Sequence, residues 1–209
     1  LERIGNESFR SCESLEEISV PEGVDIIGES AFMYSGLKKV SLPESVVDIG
    51  DYAFMECIHL SEINIPKCVE NIGHWCFSNT DYLLDMESDE YGCKYIQNHI
   101  VGFVDKGKKE IIIKEGTVSI ADNVFSGLAF EKVIFPKELK YIGGFAFSFC
   151  KNLRRVELPQ NLIYIGDYEF QFCDKLEYIY IPESVEEIGE MSFVGCDRLK
   201  EVVMTKEVA

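Results

Sequence analysis

The residues best equipped for chemistry in this chain are its cysteines, histidines and carboxylates. Five of the eight cysteines (Cys12, Cys57, Cys150, Cys173 and Cys196) each follow a phenylalanine by three residues. Thiols repeated in this way can bridge, hold a metal or pack as small hydrophobes. Stacked sheet strands lie about 4.8 Å apart, so distance permits a bridge between consecutive members. Three in a row cannot all pair, however, and the position falls on an outer arc where strands spread. The reading is a row of reduced, buried thiols.

A second cluster, Cys68, His74 and Cys76 with Cys57 and His59 nearby, lacks the paired spacing of a zinc site. Asp85, Glu87, Asp89, Glu90 and Gly92 suggest a calcium loop. An EF-hand needs glycine at its sixth place and glutamate at its twelfth. Counted from Asp85, those places hold Glu90 and Ile96, so the stretch reads as a solvated acidic loop. The three histidines are His59, His74 and His99, and no GxSxG, P-loop or HExxH pattern is present. The expectation is a chain with no catalytic residues, no metal and no cofactor.

What positions these residues is a repeat. Phenylalanine recurs at Phe9, Phe32, Phe54, Phe77, Phe125, Phe147, Phe170 and Phe193, in steps of 23, 22, 23, 48, 22, 23 and 23 residues. An Ile-Gly pair precedes it at Ile4, Ile27, Ile49, Ile72, Ile142, Ile165 and Ile188, and Ala121 takes the glycine's place after Ile120. All six prolines fall at one position of the unit. A fixed short period predicts a solenoid whose units bury their apolar faces against one another.

Each unit reads as three pieces. Leu176, Ile179 and Ile181 alternate as in a half-buried strand. Pro182 ends that strand because it has no N–H for the ladder. A second short extended piece ends at Ile188, and Gly189 is expected to permit a bend into a one-turn helical or 3₁₀ segment carrying Phe193. Acidic residues after the glycine (Glu29, Asp51, Asp167) suit the start of such a turn. Glu169 stands where other units carry Ala31, Ala53, Ala146 and Ser192, and is expected to tilt outward, since an inward carboxylate needs a partner.

The segments IGESAF (Ile27 to Phe32) and IGDYAF (Ile49 to Phe54), each followed by Leu-x-x-Val/Ile and a proline, resemble the BspA-like, treponemal type of leucine-rich repeat. The resemblance covers almost the whole chain. It implies a right-handed leucine-rich-repeat coil with a parallel β-sheet on one face and short strands and helical turns on the other. It also implies a bacterial or protist cell-surface or secreted protein used in adhesion.

The period breaks over residues 78–116, read as a modified repeat bearing a β-hairpin rather than a domain boundary. Leu83 to Met86 reads as an altered strand, and Ile96 to Val104 and Glu110 to Ile113 read as a hairpin turning at Lys106-Gly107-Lys108. Residues 1–209 are thus expected to form one solenoid. Both ends, at Leu1 and after Met204, read as cut from a longer protein.

The net charge is -17. Residues 1–109 hold 9 basic and 20 acidic side chains, and residues 110–209 hold 11 and 17. Both halves repel phosphate, which argues against nucleic acid and anionic membrane surfaces. No stretch nears the roughly 18 apolar residues of a membrane span.

The outward strand positions form two columns. One runs Ser19, Ser41, Asn64, Glu87, Ile112, Ile134, Glu157, Tyr180 and Val203; the other runs Glu17, Lys39, Glu62, Asp85, Glu110, Lys132, Arg155, Tyr178 and Glu201. Ile112, Ile134, Tyr178 and Tyr180, with Arg155 among them, depart from an ordinary solvated face and mark the candidate binding surface. Cover by the hairpin or by further units is the alternative. The expected function is protein interaction by a monomer, with a host or matrix protein or a glycan as partner. The alternatives are an intracellular scaffold or a repeat segment attached to an enzyme domain.

Overall fold

Residues 2–204 are described by the computed structural model, in two compact units that divide between Glu87 and Ser88. The expected repeat start at Leu1 lies outside the described residues. Both units are built from two kinds of short strand alternating along the chain.

In the first unit, β1 (Arg3–Ile4), β3 (Ile26–Ile27), β5 (Asp48–Ile49) and β7 (Asn71–Ile72) form one parallel sheet. The longer strands β2 (Glu17–Ser19), β4 (Lys39–Ser41) and β6 (Glu62–Asn64) form a second. Every pairing joins residues one period apart, as Ile4 with Ile27 and Val40 with Ile63. Between the sheets Phe9, Phe32, Phe54 and Phe77 stack with ring centroids 5.2, 5.3 and 5.5 Å apart and planes within 5°. The unit closes with helix α1 (Asp81–Asp85).

In the second unit, the six-stranded sheet runs β17-β15-β13-β11-β9-β8. Its members are β8 (Cys93–Ile96), β9 (His99–Phe103), β11 (Ser119–Ile120), β13 (Tyr141–Ile142), β15 (Tyr164–Ile165) and β17 (Glu187–Ile188). The longer strands form two further parallel sheets, β10 (Glu110–Ile112) with β12 (Lys132–Ile134), and β14 (Arg155–Glu157), β16 (Tyr178–Ile181) and β18 (Glu201–Met204) in that order. Phe125, Phe147, Phe170 and Phe193 form its spine at 5.0, 5.6 and 5.7 Å.

Four details differ from the sequence reading. Leu83 to Met86 is not a strand. Thr80 caps a helix there, its Oγ1 accepting from the Leu83 N–H at 3.2 Å while donating to the Phe77 carbonyl at 2.7 Å, and Asp81 sits in the first turn where free N–H groups favour an anion. The hairpin also moves. Cys93–Ile96 pairs antiparallel with His99–Phe103, and the chain turns at Gln97-Asn98 with Gln97 in the left-handed region (φ 53°). Glu110–Ile112 instead joins Lys132–Ile134 in parallel, because that register puts Ile111 beside Val133 on the inward face.

The third difference concerns the turns around each phenylalanine. Bonds such as Ala31 N–H to Gly28 C=O (3.2 Å) begin a helical turn. Left-handed residues then interrupt it twice per unit, as at Tyr52 and Glu56 or Tyr168 and Phe172. Helix needs an unbroken right-handed run, so these segments are tandem turns. The glycine's role changes accordingly. Gly189 is not left-handed; a Cβ on it would collide with the backbone of Asp167 one unit earlier. It serves close approach of stacked turns.

Finally, the long gap in the phenylalanine period is filled. The Phe103 ring lies 5.2 Å from Phe125 at 64°, so the second unit's spine begins at Phe103. It lies 22 residues before Phe125, a spacing already present in the sequence.

Candidate functional site

The outward residues of β10, β12, β14 and β16 come from strands whose inward partners (Ile111, Val133, Val156, Ile179) are buried. Alternation along each strand therefore obliges Ile112, Ile134, Arg155, Glu157, Tyr178 and Tyr180 to face away from the core. Ile112 and Ile134 are register partners, and each remains over a third exposed (36% and 37%). A recess of about 360 Å³ lies between β12 and β14, lined by Lys132, Val133, Ile134, Phe135, Arg155 and Glu157.

Arg155 organises its neighbours. Its guanidinium carbon sits 3.7 Å from the centre of the Tyr178 ring, and its Nη2 lies 2.8 Å from Glu157 Oε1. A guanidinium over an aromatic face is held by the ring quadrupole as well as by its carboxylate. Tyr178 and Tyr180 are half-buried rather than fully presented. The Tyr180 hydroxyl accepts from Gln160 Nε2 at 2.9 Å. The site thus joins an apolar pair, Ile112 and Ile134, to an arginine–tyrosine stack on the next two strands.

Most flanking charges are already matched across strands. Lys132 pairs with Glu110 at 2.6 Å, Lys109 with Glu131 at 3.2 Å and Lys200 with Glu177 at 3.4 Å. Such exposed pairs contribute at most about 1 kcal/mol each. Their consequence here is a face whose charges are balanced around an apolar strip.

The other sequence candidates resolve into structural roles. All eight cysteines are free. Cys57, Cys150, Cys173 and Cys196 each donate from Sγ to the carbonyl of the phenylalanine one unit back, at 3.0 to 3.3 Å. Burial pushes the Cys150 thiol up to about 12, and burial with the nearby Asp89 carboxylate does the same for Cys93. The Cys57, Cys93 and Cys150 thiols, all raised by burial, are packing and hydrogen-bonding groups rather than nucleophiles. Cys68 bonds the Glu44 and Val46 carbonyls. Asp89 Oδ1 accepts three backbone N–H groups, from Tyr91, Gly92 and Cys93, at 2.8 to 2.9 Å, so that carboxylate closes a loop. Among the described residues no three of histidine, cysteine, aspartate and glutamate gather as a metal site. Among the described residues, too, no helix is long and apolar enough to cross a membrane.

Glu169 does not tilt outward. It is fully buried, and its Oε2 accepts from the Ala146 N–H at 2.9 Å. Its other oxygen is buried without a hydrogen-bond partner. Burial first, then the Asp122 carboxylate, holds its pKa well above the usual carboxylate range. The same slot is buried in the other units, at Ala31, Ala53, Ala146 and Ser192, so the repeat register carries Glu169 inward with them.

One exposed feature was missed. Phe145, Phe149 and Phe172, each 38–41% exposed, occupy left-handed turn positions, and Phe145 stacks on Tyr168 at 4.7 Å. The signal lay in other units, which carry Asn79, Asn123, Gly127 or Gly195 at these places. Those are the residue types that adopt this conformation most cheaply.

A profile of the BspA type leucine rich repeat region (6 copies) matches residues 2–108 and again residues 102–209. The chain belongs to this family. Its fold is shared with a leucine-rich repeat protein from Eubacterium ventriosum (21% identity, TM-score 0.54, covering 98% of this chain and 52% of that one). It is shared too with the pneumococcal vaccine antigen PcpA (20% identity, TM-score 0.53, covering 98% and 60%). A leucine rich cell surface protein from Faecalibacterium prausnitzii is 23% identical over 97% of this chain and 63% of its own, with a TM-score of 0.41. The chain therefore spans about half to two-thirds of the length of these relatives. Among curated proteins, nothing matches. Membership of this repeat family points to a protein-interaction module built on a parallel-sheet solenoid.

Proposed function

We propose that this chain is a non-catalytic, monomeric interaction module of a cell-surface or secreted bacterial protein, and that it binds a host or matrix protein through the sheet face of its second unit. The observation that carries the reading is the apolar column Ile112–Ile134, set beside the Arg155–Tyr178 stack on a face whose flanking charges are matched. Two exposed isoleucines paired across strands contribute only about 0.2–1 kcal/mol to a sheet, whereas arginine and tyrosine are side chains that anchor protein interfaces. The family resemblance supports surface display, and the pneumococcal protein of the same fold is itself a vaccine antigen.

The test is an array of immobilised matrix proteins and glycans probed with the wild-type chain and with a Tyr178→Ala/Tyr180→Ala variant of unchanged melting temperature. A spot retained by the wild type and lost by the variant supports the site. Equal retention by both places it elsewhere. Protease shaving of intact source cells tests display, and protection of the domain until lysis would reject it.

A further inference from the structure

We infer that the recess beside the Val104 to Lys109 loop is a docking pocket for one apolar side chain carried by an acidic peptide segment. This site is distinct from the sheet face proposed above and goes beyond that reading.

The recess follows from what this turn lacks. In an ordinary unit the turn after the spine phenylalanine sends two apolar side chains inward, as Cys173 and Leu176 do, both fully buried. The turn after Phe103 reads Val-Asp-Lys-Gly-Lys-Lys, and every residue of it is exposed. Two inward places are therefore vacant. The next turn is also shorter than most, with Ala129 alone between Leu128 and Phe130, as Gly36 is between Ser35 and Leu37, where the remaining units carry two residues, as Lys151-Asn152. The result is an open recess of about 230 Å³ floored by Phe103, Ile111, Leu128 and Phe130 and rimmed by Asp105, Lys108 and Lys109.

The loop is held open over this floor. Asp105 Oδ1 accepts from the Gly107 N–H at 2.7 Å, and Lys106 Nζ donates to the Asp89 carbonyl at 2.6 Å. Gly107 is left-handed (φ 66°), and a Cβ on it would meet nothing within 4 Å. The loop is thus a pinned wall rather than a plug.

Size and charge identify the occupant. Small-molecule pockets run from about 300 to 1,000 Å³; this one has room for a single large side chain. Its floor is the solenoid's own core, so the natural guest is what the missing cysteine and leucine would have been, an apolar group. Lys108 has no ion-pair partner among the described residues, and Lys109, paired with Glu131, keeps its side chain 83% exposed. Between residues 106 and 155 there are ten cationic side chains against five acidic ones, a net charge of +5 on a chain of -17. A negatively charged partner is attracted here and repelled over most of the rest.

The probe is a fluorescein-labelled peptide of glutamates around one central leucine, titrated with the full chain and followed by anisotropy. Saturable binding is expected. It should weaken about tenfold or more in Lys108→Glu, where the rim charge reverses, and in Ala129→Trp, where an exposed alanine grows a side chain into the recess. Tyr180→Ala should bind like the wild type, which separates this site from the sheet face. Circular dichroism melts confirm that the variants fold, and Lys108→Glu, wholly on the surface, keeps the test sound if Ala129→Trp does not. Absence of binding, equal binding of a serine-centred peptide, indifference to both variants, or tighter binding of a heparin fragment than of the peptide would each overturn the proposal.

Discussion

Ser19, Ser41 and Asn64 in the first unit occupy the same outward place on the same kind of strand as Ile112 and Ile134 in the second. Behind both columns the inward residues are alike: Ile18, Val40 and Ile63 in one, Ile111 and Val133 in the other. The phenylalanine spines are alike as well. The two units thus share everything packing dictates and differ where solvent, not the core, is the neighbour. The first unit uses its outward column to reinforce the fold: Asn64 accepts from the Leu42 N–H at 2.8 Å and donates to the Leu42 carbonyl at 2.7 Å. The second unit's isoleucines make no such bond. Freed from a structural task, that column is where a partner can be accommodated.

The spines offer the largest test of this likeness. Phe54→Ala and Phe147→Ala each remove a fully buried ring between two stacked neighbours. Each should cost about 3–5 kcal/mol, because a cavity adds to the lost transfer energy. Phe103→Ala should cost less, about 1–2 kcal/mol, since that ring is half-buried. Urea denaturation of the three variants checks the order, and a Phe147→Ala cost under about 1 kcal/mol would break the equivalence.

Next in size is Glu169, which has no counterpart in the first unit, where Ala31 and Ala53 fill the slot. An unfolded glutamate titrates near pH 4.3, roughly. Its native pKa is raised by burial, so the folded state holds its proton to higher pH than the unfolded state does. The associated stability is fully present below the unfolded pKa and is lost as pH rises through the native one. Glu169→Ala should therefore gain about 1–3 kcal/mol at neutral pH by removing an unsatisfied buried group. The difference in melting temperature from the wild type should shrink as pH falls toward 4. A constant difference across that range would mean the carboxyl is not neutral in the fold.

Asn64→Ala should cost about 1 kcal/mol, the worth of its two backbone hydrogen bonds after exchange with water. Thermal unfolding measures it. An Ile112→Asn substitution, which writes the first unit's residue type into the second, should not regain that energy, because no such pair of bonds was built around it.

Most of the inward architecture was legible because it repeats: one Phe, one Ile-Gly and one Pro per unit set the register without knowledge of contacts. What was not legible depended on a single local competition. Thr80-Asp81 offered a helix cap where the period asked for a strand. Gln97-Asn98 offered a turn nine residues before the glycine-bearing loop that was read as one. Phe103 kept the 22-residue step to Phe125 but lacked the Ile-Gly before it, so it was passed over. Glu169 runs against the expectation because burying a carboxylate is costly; the Ala146 N–H and a raised pKa lessen that cost without removing it. The sheet-face column was legible as a column, but the Arg155–Tyr178 stack and the recess beside β10 depend on side-chain placement that a period does not encode.

The smallest expected effect bears most directly on the comparison. Ile112→Ser with Ile134→Ser gives the second unit the polar column of the first. Both side chains lie on exposed strand surface, so each change should move stability by no more than about 0.5 kcal/mol. If the two columns differ only in what they offer a partner, the double variant should melt with the wild type and lose the matrix-protein spots that the wild type retains. If instead it melts several degrees lower, the isoleucines are part of the core's support. The contrast between a structural column and a binding column would then fail at the residues that define it.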